Sequence, residues 1–171
     1  AARPEKIPTL RPAFKKDGTV TAANSSSISD GAAALLVMSE SKANELGLAP
    51  MAKIVAHATN AIKPEDFTVA PVGAVEKVFA KAGWSKDDVD LFEINEAFAM
   101  VTMLGISKLG LDADKVNING GACALGHPIG ASGARILVTL LHALKLQGKK
   151  KGVAALCIGG GEGTALAVEL C

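Results

Sequence analysis

Three side chains in this sequence combine reactive chemistry with a local setting that can aim it: Asn95, His127 and Cys157. Asn95 closes the apolar run Leu91-Phe92-Glu93-Ile94 and precedes Glu96-Ala97-Phe98-Ala99. An amide at the end of a strand, directly before a helix, can be offered to a ligand. The same position also suits a helix N-cap. His127 lies in Asn119-Gly120-Gly121-Ala122-Cys123-Ala124-Leu125-Gly126-His127-Pro128-Ile129-Gly130. Glycines allow close backbone approach and unusual dihedrals, and Pro128 stiffens the chain behind the imidazole. Such a turn can aim one ring at a reacting group, although a buried histidine bonded to backbone would have the same surroundings. Cys157 ends an apolar run and is followed by Ile158-Gly159-Gly160-Gly161. A thiol placed there can serve as acid, base or nucleophile, and the Gly159 N–H can donate to an oxyanion. A structural cysteine beside a hairpin turn is the alternative.

The remaining candidates lack comparable settings. His57, His142, Cys123 and Cys171 read as structural. A phosphate or dinucleotide loop needs its glycine turn to enter a helix, whereas residues 159–163 lead into another strand. Gly130-Ala131-Ser132-Gly133 does enter a helix, but no P-loop lysine accompanies it. Zinc held by Cys123, His127 and Cys157 would lack the usual paired spacing, so no metal is expected.

The elements that must position these groups follow from hydrophobic periodicity. Residues 31–38 (Gly-Ala-Ala-Ala-Leu-Leu-Val-Met) form an apolar run that predicts a buried strand, with helix possible. Ser39 starts a short helix and Gly47 stops it. Residues 52–58 predict a second strand, and Pro64 and Pro71 bracket a loop. A helix follows with Val72, Val75, Val78, Phe79 and Ala82 on one stripe and Gly83 just past its end. Residues 90–94 predict a third strand and 98–109 a helix. Residues 117–128 are glycine-rich and aperiodic. Residues 131–147 predict a long helix with Ile136, Leu137, Leu140, Leu141 and Leu144 on one side. Residues 153–158 and 164–170 are strands joined by a hairpin at 159–163. This order predicts an α/β fold with a mixed five-stranded sheet covered by helices on both faces. Ligands of such sheets gather beyond the carboxyl ends of the strands.

Composition agrees and narrows the function classes. The 171 residues suit one domain. They are 49% hydrophobic but only 4% aromatic, so the core must pack from small side chains. Formal net charge is +1 with both signs interspersed, which leaves no patch for nucleic acid and no acidic tail. No apolar run is long enough to cross a bilayer, and residues 1–6 lack a signal pattern. Three cysteines form no paired framework, so a reducing, cytoplasmic location is the expectation. Residues 3–17 carry three prolines and several charges. They read as a surface loop, at the start of a domain or of a piece cut from a longer protein.

Together the motifs carry a resemblance. From about Arg3 to Leu170 the chain resembles the thiolase family. Asn95-Glu96-Ala97-Phe98 resembles its Asn-Glu-Ala-Phe motif, Gly126-His127-Pro128 its Gly-His-Pro motif, and Cys157-Ile158-Gly159-Gly160-Gly161 its C-terminal cysteine motif. Asn24-Ser25-Ser26 followed by Asp30-Gly31-Ala32-Ala33 resembles the segment that lies along bound coenzyme A. The resemblance implies acyltransferase chemistry: condensation of two acyl-CoA molecules, or cleavage of a 3-ketoacyl-CoA with coenzyme A. It implies no cofactor beyond the coenzyme A thioester itself. His127 would activate a nucleophilic cysteine and donate in one oxyanion hole, Asn95 would hold the water completing that hole, and Cys157 would move the α-carbon proton. Gly159 would help form a second oxyanion hole. Ala22 and Ser26 would touch the pantetheine arm, and Phe98 would line its tunnel.

The departures from the family matter equally. Complete members are about twice as long, with two similar halves and a nucleophilic cysteine in a Cys-Ser-Ser-Gly-like motif that does not occur here. The resemblance therefore implies a C-terminal half. Residues 1–27 would be the tail of a loop domain and 28–171 the C-terminal domain. That half would be inactive alone, with an N-terminal thiolase half as partner and a homo-oligomer as the full enzyme. Phe67-Thr68-Val69-Ala70-Pro71 departs from a common Met-Gly-x-Gly-Pro pattern and resembles the acetoacetyl-CoA branch that tolerates a 2-methyl group, placing Phe67 at the acyl pocket. A non-catalytic binding or scaffold domain is the alternative, but it would have no need of Asn95, His127 and Cys157. A condensing enzyme of fatty-acid or polyketide synthesis would typically carry His in place of Cys157.

Overall fold

The computed structural model describes residues 3–171. Small apolar residues alternate along its two longest-buried strands, and that alternation builds two cores. The elements are α1 (Glu40–Glu45), β1 (Ala52–Ala61), α2 (Ala70–Ala82), β2 (Leu91–Ile94), α3 (Ala99–Leu109), α4 (Ala122–Leu125), α5 (Ser132–Leu146), β3 (Lys151–Ile158) and β4 (Glu162–Leu170). The sheet order is β1-β4-β3-β2. β2 and β3 are parallel, while β4 runs antiparallel to both β1 and β3.

Val153, Ala155, Cys157, Ala165 and Ala167 turn to one face, where α2 supplies Ala74, Val75 and Val78 and α3 supplies Val101. Ala154, Leu156, Leu166 and Val168 turn to the other, against Ile136, Leu140 and Leu144 of α5. Strand period two therefore splits one sheet between two helical layers. The alanines on the inner strands leave room for the large residues of the helices, as the low aromatic content requires. α2 ends where Gly83 adopts a left-handed φ of 68°, a conformation that glycine takes without steric cost.

The sheet has four strands, not the five expected. Residues 31–38, predicted as a buried strand, belong to no strand or helix, and Leu36 and Val37 are 81% and 67% exposed. Hydrophobicity predicts a need for burial, but burial requires a free surface to pack on. Both sheet faces are already occupied by α2, α3 and α5. At the outer edge of β2 a single parallel bridge, Phe92 to Val116, stands where a fifth strand would lie. Gly120 and Asn117, both at positive φ, turn the chain away immediately afterwards. The other predicted elements form with their ends displaced by a few residues, β1 and β3 being longer than predicted. No helix among the described residues is long and apolar enough to cross a membrane.

Candidate active site

β2 delivers Asn95 to the carboxyl end of the sheet. The Asn95 N–H continues the parallel ladder by donating to Ala155 O at 2.9 Å. One residue earlier, Ile94 is clamped by Asn117, whose Oδ1 accepts from the Ile94 N–H and whose Nδ2 donates to the Ile94 carbonyl, both at 2.8 Å. Thr102 of α3 donates to the same carbonyl at 2.9 Å. The cap of α3 is Phe98, without a side-chain capping bond. The Asn95 amide is therefore not spent on the helix. It is 1% exposed, and its Nδ2 lies 3.3 Å from His127 Nε2.

His127 is fixed from both sides of its ring. Gly126, at φ 93°, turns the chain out of α4, and the His127 N–H then donates to Ser27 O at 2.9 Å. Nδ1 is 2.6 Å from Ser132 Oγ, and that hydroxyl lies 3.1 Å from the Pro128 carbonyl, to which it donates. An amide nitrogen can only donate, so Nε2 must accept from Asn95. Nδ1 then carries the hydrogen and donates to Ser132. The neutral ring presents its Nε2 lone pair toward Asn95, the atom a general base needs.

Cys157 reaches the same end of the sheet by another layer. The register pairs Ile94 with Ala155, so Cys157 lies just beyond the level of Asn95 on the neighbouring strand. Its side chain is 8% exposed and packs with the α2 and α3 layer. The hydrogen bonds that join Asn95, His127 and Ser132 do not extend to it. Two residues on, Gly159 is exposed, and a Cβ built on it would meet nothing within 4 Å.

Two of the predicted binding residues, Phe98 and Phe67, pack against the cluster that holds Cys157. Phe98 meets Phe67 edge-on at a centroid distance of 6.2 Å and Phe14 at 5.8 Å. Ser25 bridges to Phe98, and Ser26 donates twice to Ala97 O, from N at 3.2 Å and from Oγ at 2.9 Å. Ser26, Phe98 and Phe67 thus share one wall. Ala22 lies upstream in an exposed turn, Ala22–Asn24.

The model of the thiolase C-terminal domain matches residues 48–170, and that of the thiolase N-terminal domain matches residues 1–41. The chain belongs to the thiolase family. It is 59% identical over 169 residues to an acetyl-CoA acetyltransferase of Chromobacterium violaceum, an alignment covering 98% of this chain and 43% of that protein. The fold superposes on the crystal structure of the Bacillus anthracis acetyl-CoA acetyltransferase with a TM-score of 0.94 at 50% identity, covering 98% of this chain and 42% of that one. For human mitochondrial 3-ketoacyl-CoA thiolase in complex with CoA the TM-score is 0.91 at 42% identity, covering 99% and 44%. The chain spans about two fifths of the length of the curated relatives it matches.

Electrostatics in this candidate site differ from residue to residue. Burial, and then the Arg135 cation, hold the His127 imidazole below its usual value, favouring the neutral ring. Burial pushes the Cys157 thiol up. Burial, with the Glu96 carboxylate nearby, drives the Cys123 thiol to about 11. Cys123 is therefore a poor nucleophile, in keeping with its structural reading.

Sequence reasoning missed four residues around the site. Glu93 is 2% exposed and faces α5, where Arg135 Nη1 lies 3.7 Å from its carboxylate. Burial raises the Glu93 carboxyl to about 7, against the opposing pull of Arg135. Arg135 Nη2 also donates to Asn95 Oδ1 at 3.3 Å. Ser132, one helical turn before Arg135, receives the His127 ring. Glu96 accepts from the Cys123 N–H at 3.0 Å and so ties down the loop leading to His127. One signal was available: a carboxylate inside a four-residue apolar strand is rarely buried without a partner. Nothing in the spacing pointed to Arg135 as that partner.

Proposed function

We propose that this chain supplies the C-terminal half of the active site of an acetyl-CoA acetyltransferase, working on short acyl groups carried by coenzyme A. The observation that carries the reading is the Asn95–His127 contact at the sheet end where Cys157 also emerges, in a chain of the thiolase family. His127 Nε2, unprotonated, takes the proton of a nucleophilic thiol contributed by an N-terminal thiolase half. Once protonated, the same nitrogen donates to the thioester oxygen, and Asn95 holds the water that completes this oxyanion hole. Cys157 moves the proton on and off the α-carbon. That carbon is a very weak acid, and a thiolate base is effective only if the enolate oxygen is stabilised by preorganised donors. The Gly159 N–H is one such donor. Ser26, Ala22 and Phe98 flank the pantetheine arm, and Phe67 closes the acyl pocket around short, 2-methyl-tolerant chains. No metal or further cofactor takes part.

The N-terminal half is the partner this reading requires. Support comes from the exposed apolar side chains Ile28, Leu36 and Val37 and from a groove of about 880 Å³ between residues 34–38, β1, β4 and α5. The run at 31–38 falls within the match to the N-terminal family model. A surface this apolar on one domain calls for a cover. Residues 1–27 would serve as the tail of the loop domain, and the complete enzyme would be a cytoplasmic homo-oligomer.

The test is acetoacetyl-CoA cleavage by the purified 171-residue chain, alone and after co-expression with an N-terminal thiolase half. No turnover alone and robust turnover in the pair is the expected result. Turnover by the isolated chain would overturn the division of labour. Absence of turnover from a stable, folded pair would favour a scaffold domain.

A further inference from the structure

We propose that Arg135 is a positioning residue that sets the tautomer of His127 through the Asn95 carboxamide, with Glu93 holding Arg135 in place. The inference rests on the reading of Asn95 and His127 as site residues, but its logic is local. A primary amide has two nearly isosteric ends, and the two orientations place opposite hydrogen-bonding groups in front of Nε2. With Nδ2 toward the ring, Nε2 must accept and the hydrogen resides on Nδ1. With Oδ1 toward the ring, Nε2 would carry the hydrogen and could not act as a base.

Nothing in the ring's other partner decides the matter. Ser132 Oγ can accept from Nδ1 while donating to Pro128 O, as observed. Rotation of its hydroxyl would equally let it donate to an unprotonated Nδ1. The choice falls to the far end of the Asn95 amide. Arg135 Nη2 lies 3.3 Å from Oδ1, and a guanidinium has donors and no acceptor, so it cannot face Nδ2 favourably. It therefore pins the amide in the orientation that leaves Nε2 as an acceptor. The contact is buried: Asn95 is 1% exposed, and Arg135 Nε and Nη1 have no hydrogen-bond partner.

Arg135 itself needs an anchor. Glu93 supplies it from β2, two residues before Asn95, with its carboxylate 3.7 Å from Nη1. Glu93 and Asn95 alternate with Ile94, which turns to the α2 and α3 layer. The strand's own period therefore presents anchor and amide to α5 together. On α5, Ser132 and Arg135 are three residues apart and share one face. Two elements, each contributing a pair of residues, thus hold both sides of the imidazole.

The test reads the ring directly, by nitrogen-15 spectra of the histidine imidazoles in the 171-residue chain at pH 8. It needs neither coenzyme A nor the N-terminal half, so its failure is distinct from failure of the acetyltransferase reading. The wild-type His127 should be the Nδ1–H tautomer. In Arg135→Met the ratio of Nδ1–H to Nε2–H should fall about tenfold, as expected for loss of one charge-assisted hydrogen bond. His57 and His142 should be unchanged. Glu93→Gln, which loosens the anchor but keeps the guanidinium, should give a smaller fall of about threefold. An Nε2–H ring in the wild type overturns the proposal outright. So does an unchanged ratio in folded Arg135→Met or, should that variant not fold, an unchanged ratio or loss of the folded spectrum in Glu93→Gln.

Discussion

The two helical layers of the sheet treat their reactive groups in opposite ways. On the α5 side, His127 sits in a network in which Asn95, Ser132 and Arg135 each make a specific polar contact. On the α2 and α3 side, Cys157 packs among valines and alanines, and burial alone raises its thiol. The polar side is organised before any ligand arrives. The apolar side holds a thiol that burial keeps protonated. An imidazole kept unprotonated and a thiol kept protonated need different surroundings, and one sheet provides both by packing a different layer on each face.

This contrast can be broken most severely from the Cys157 side. In a reconstituted enzyme, Cys157→Ala should reduce carbon–carbon bond chemistry on the order of ten-thousand-fold while the acyl-enzyme still forms. Single-turnover mass spectrometry of the acylated N-terminal half checks the second point, and loss of acylation would refute the assigned role. Asn95→Ala should cost less, on the order of a hundred- to thousand-fold in kcat, as for one oxyanion-hole element. A drop confined to KM would count against it.

The α5 side carries a pH signature of its own. Glu93 titrates near 4.5 when unfolded and is pushed up to about 7 by burial in the folded chain. Between those values the folded state binds more protons than the unfolded one, so stability should fall as pH rises through this window. The full shift corresponds to roughly 3 kcal/mol. Arg135 opposes the rise and Glu96 adds to it. His127 acts in the opposite sense, because its depressed value removes stability as pH drops below its unfolded range. Thermal unfolding from pH 4.5 to 8 should therefore decline less steeply in Glu93→Gln than in the wild type. Parallel curves would contradict the buried-carboxylate account.

The smallest effect is expected at Phe67, which meets Phe98 edge-on. Phe67→Ala should shift the preference between acetoacetyl-CoA and a longer 3-ketoacyl-CoA by about tenfold toward the longer chain, the scale of pocket-size discrimination. An unchanged kcat/KM ratio would remove Phe67 from the acyl pocket.

Much of this molecule was legible from local patterns. The stripe at Val72, Val75 and Val78 located α2, and the short apolar run at 153–158 before its glycine turn located β3, because both patterns are properties of consecutive residues. The glycine turn before His127 and the strand end at Cys157 were readable for the same reason. Local patterns failed where a partner decided the outcome. Residues 31–38 are as apolar as a core strand but lie unpaired, because pairing depends on which edges and faces other segments already occupy. Asn95 fits an N-cap by position, yet its amide belongs to His127 and Arg135, which follow 32 and 40 residues later.

By itself, the sequence determined the longer helices but not α4, most strands, the family, and the candidacy of Asn95, His127 and Cys157, since each of these is written in a contiguous stretch; α4 lies in the glycine-rich stretch 117–128, which has no period to read. Only the tertiary structure decided the four-strand sheet, the assignment of each reactive group to one face, and the link from Glu93 through Arg135 to the imidazole. Those are contacts between α5, β2 and a loop. Hydrogen bonds of that kind act over about 3 Å in space and leave no periodic trace along the chain.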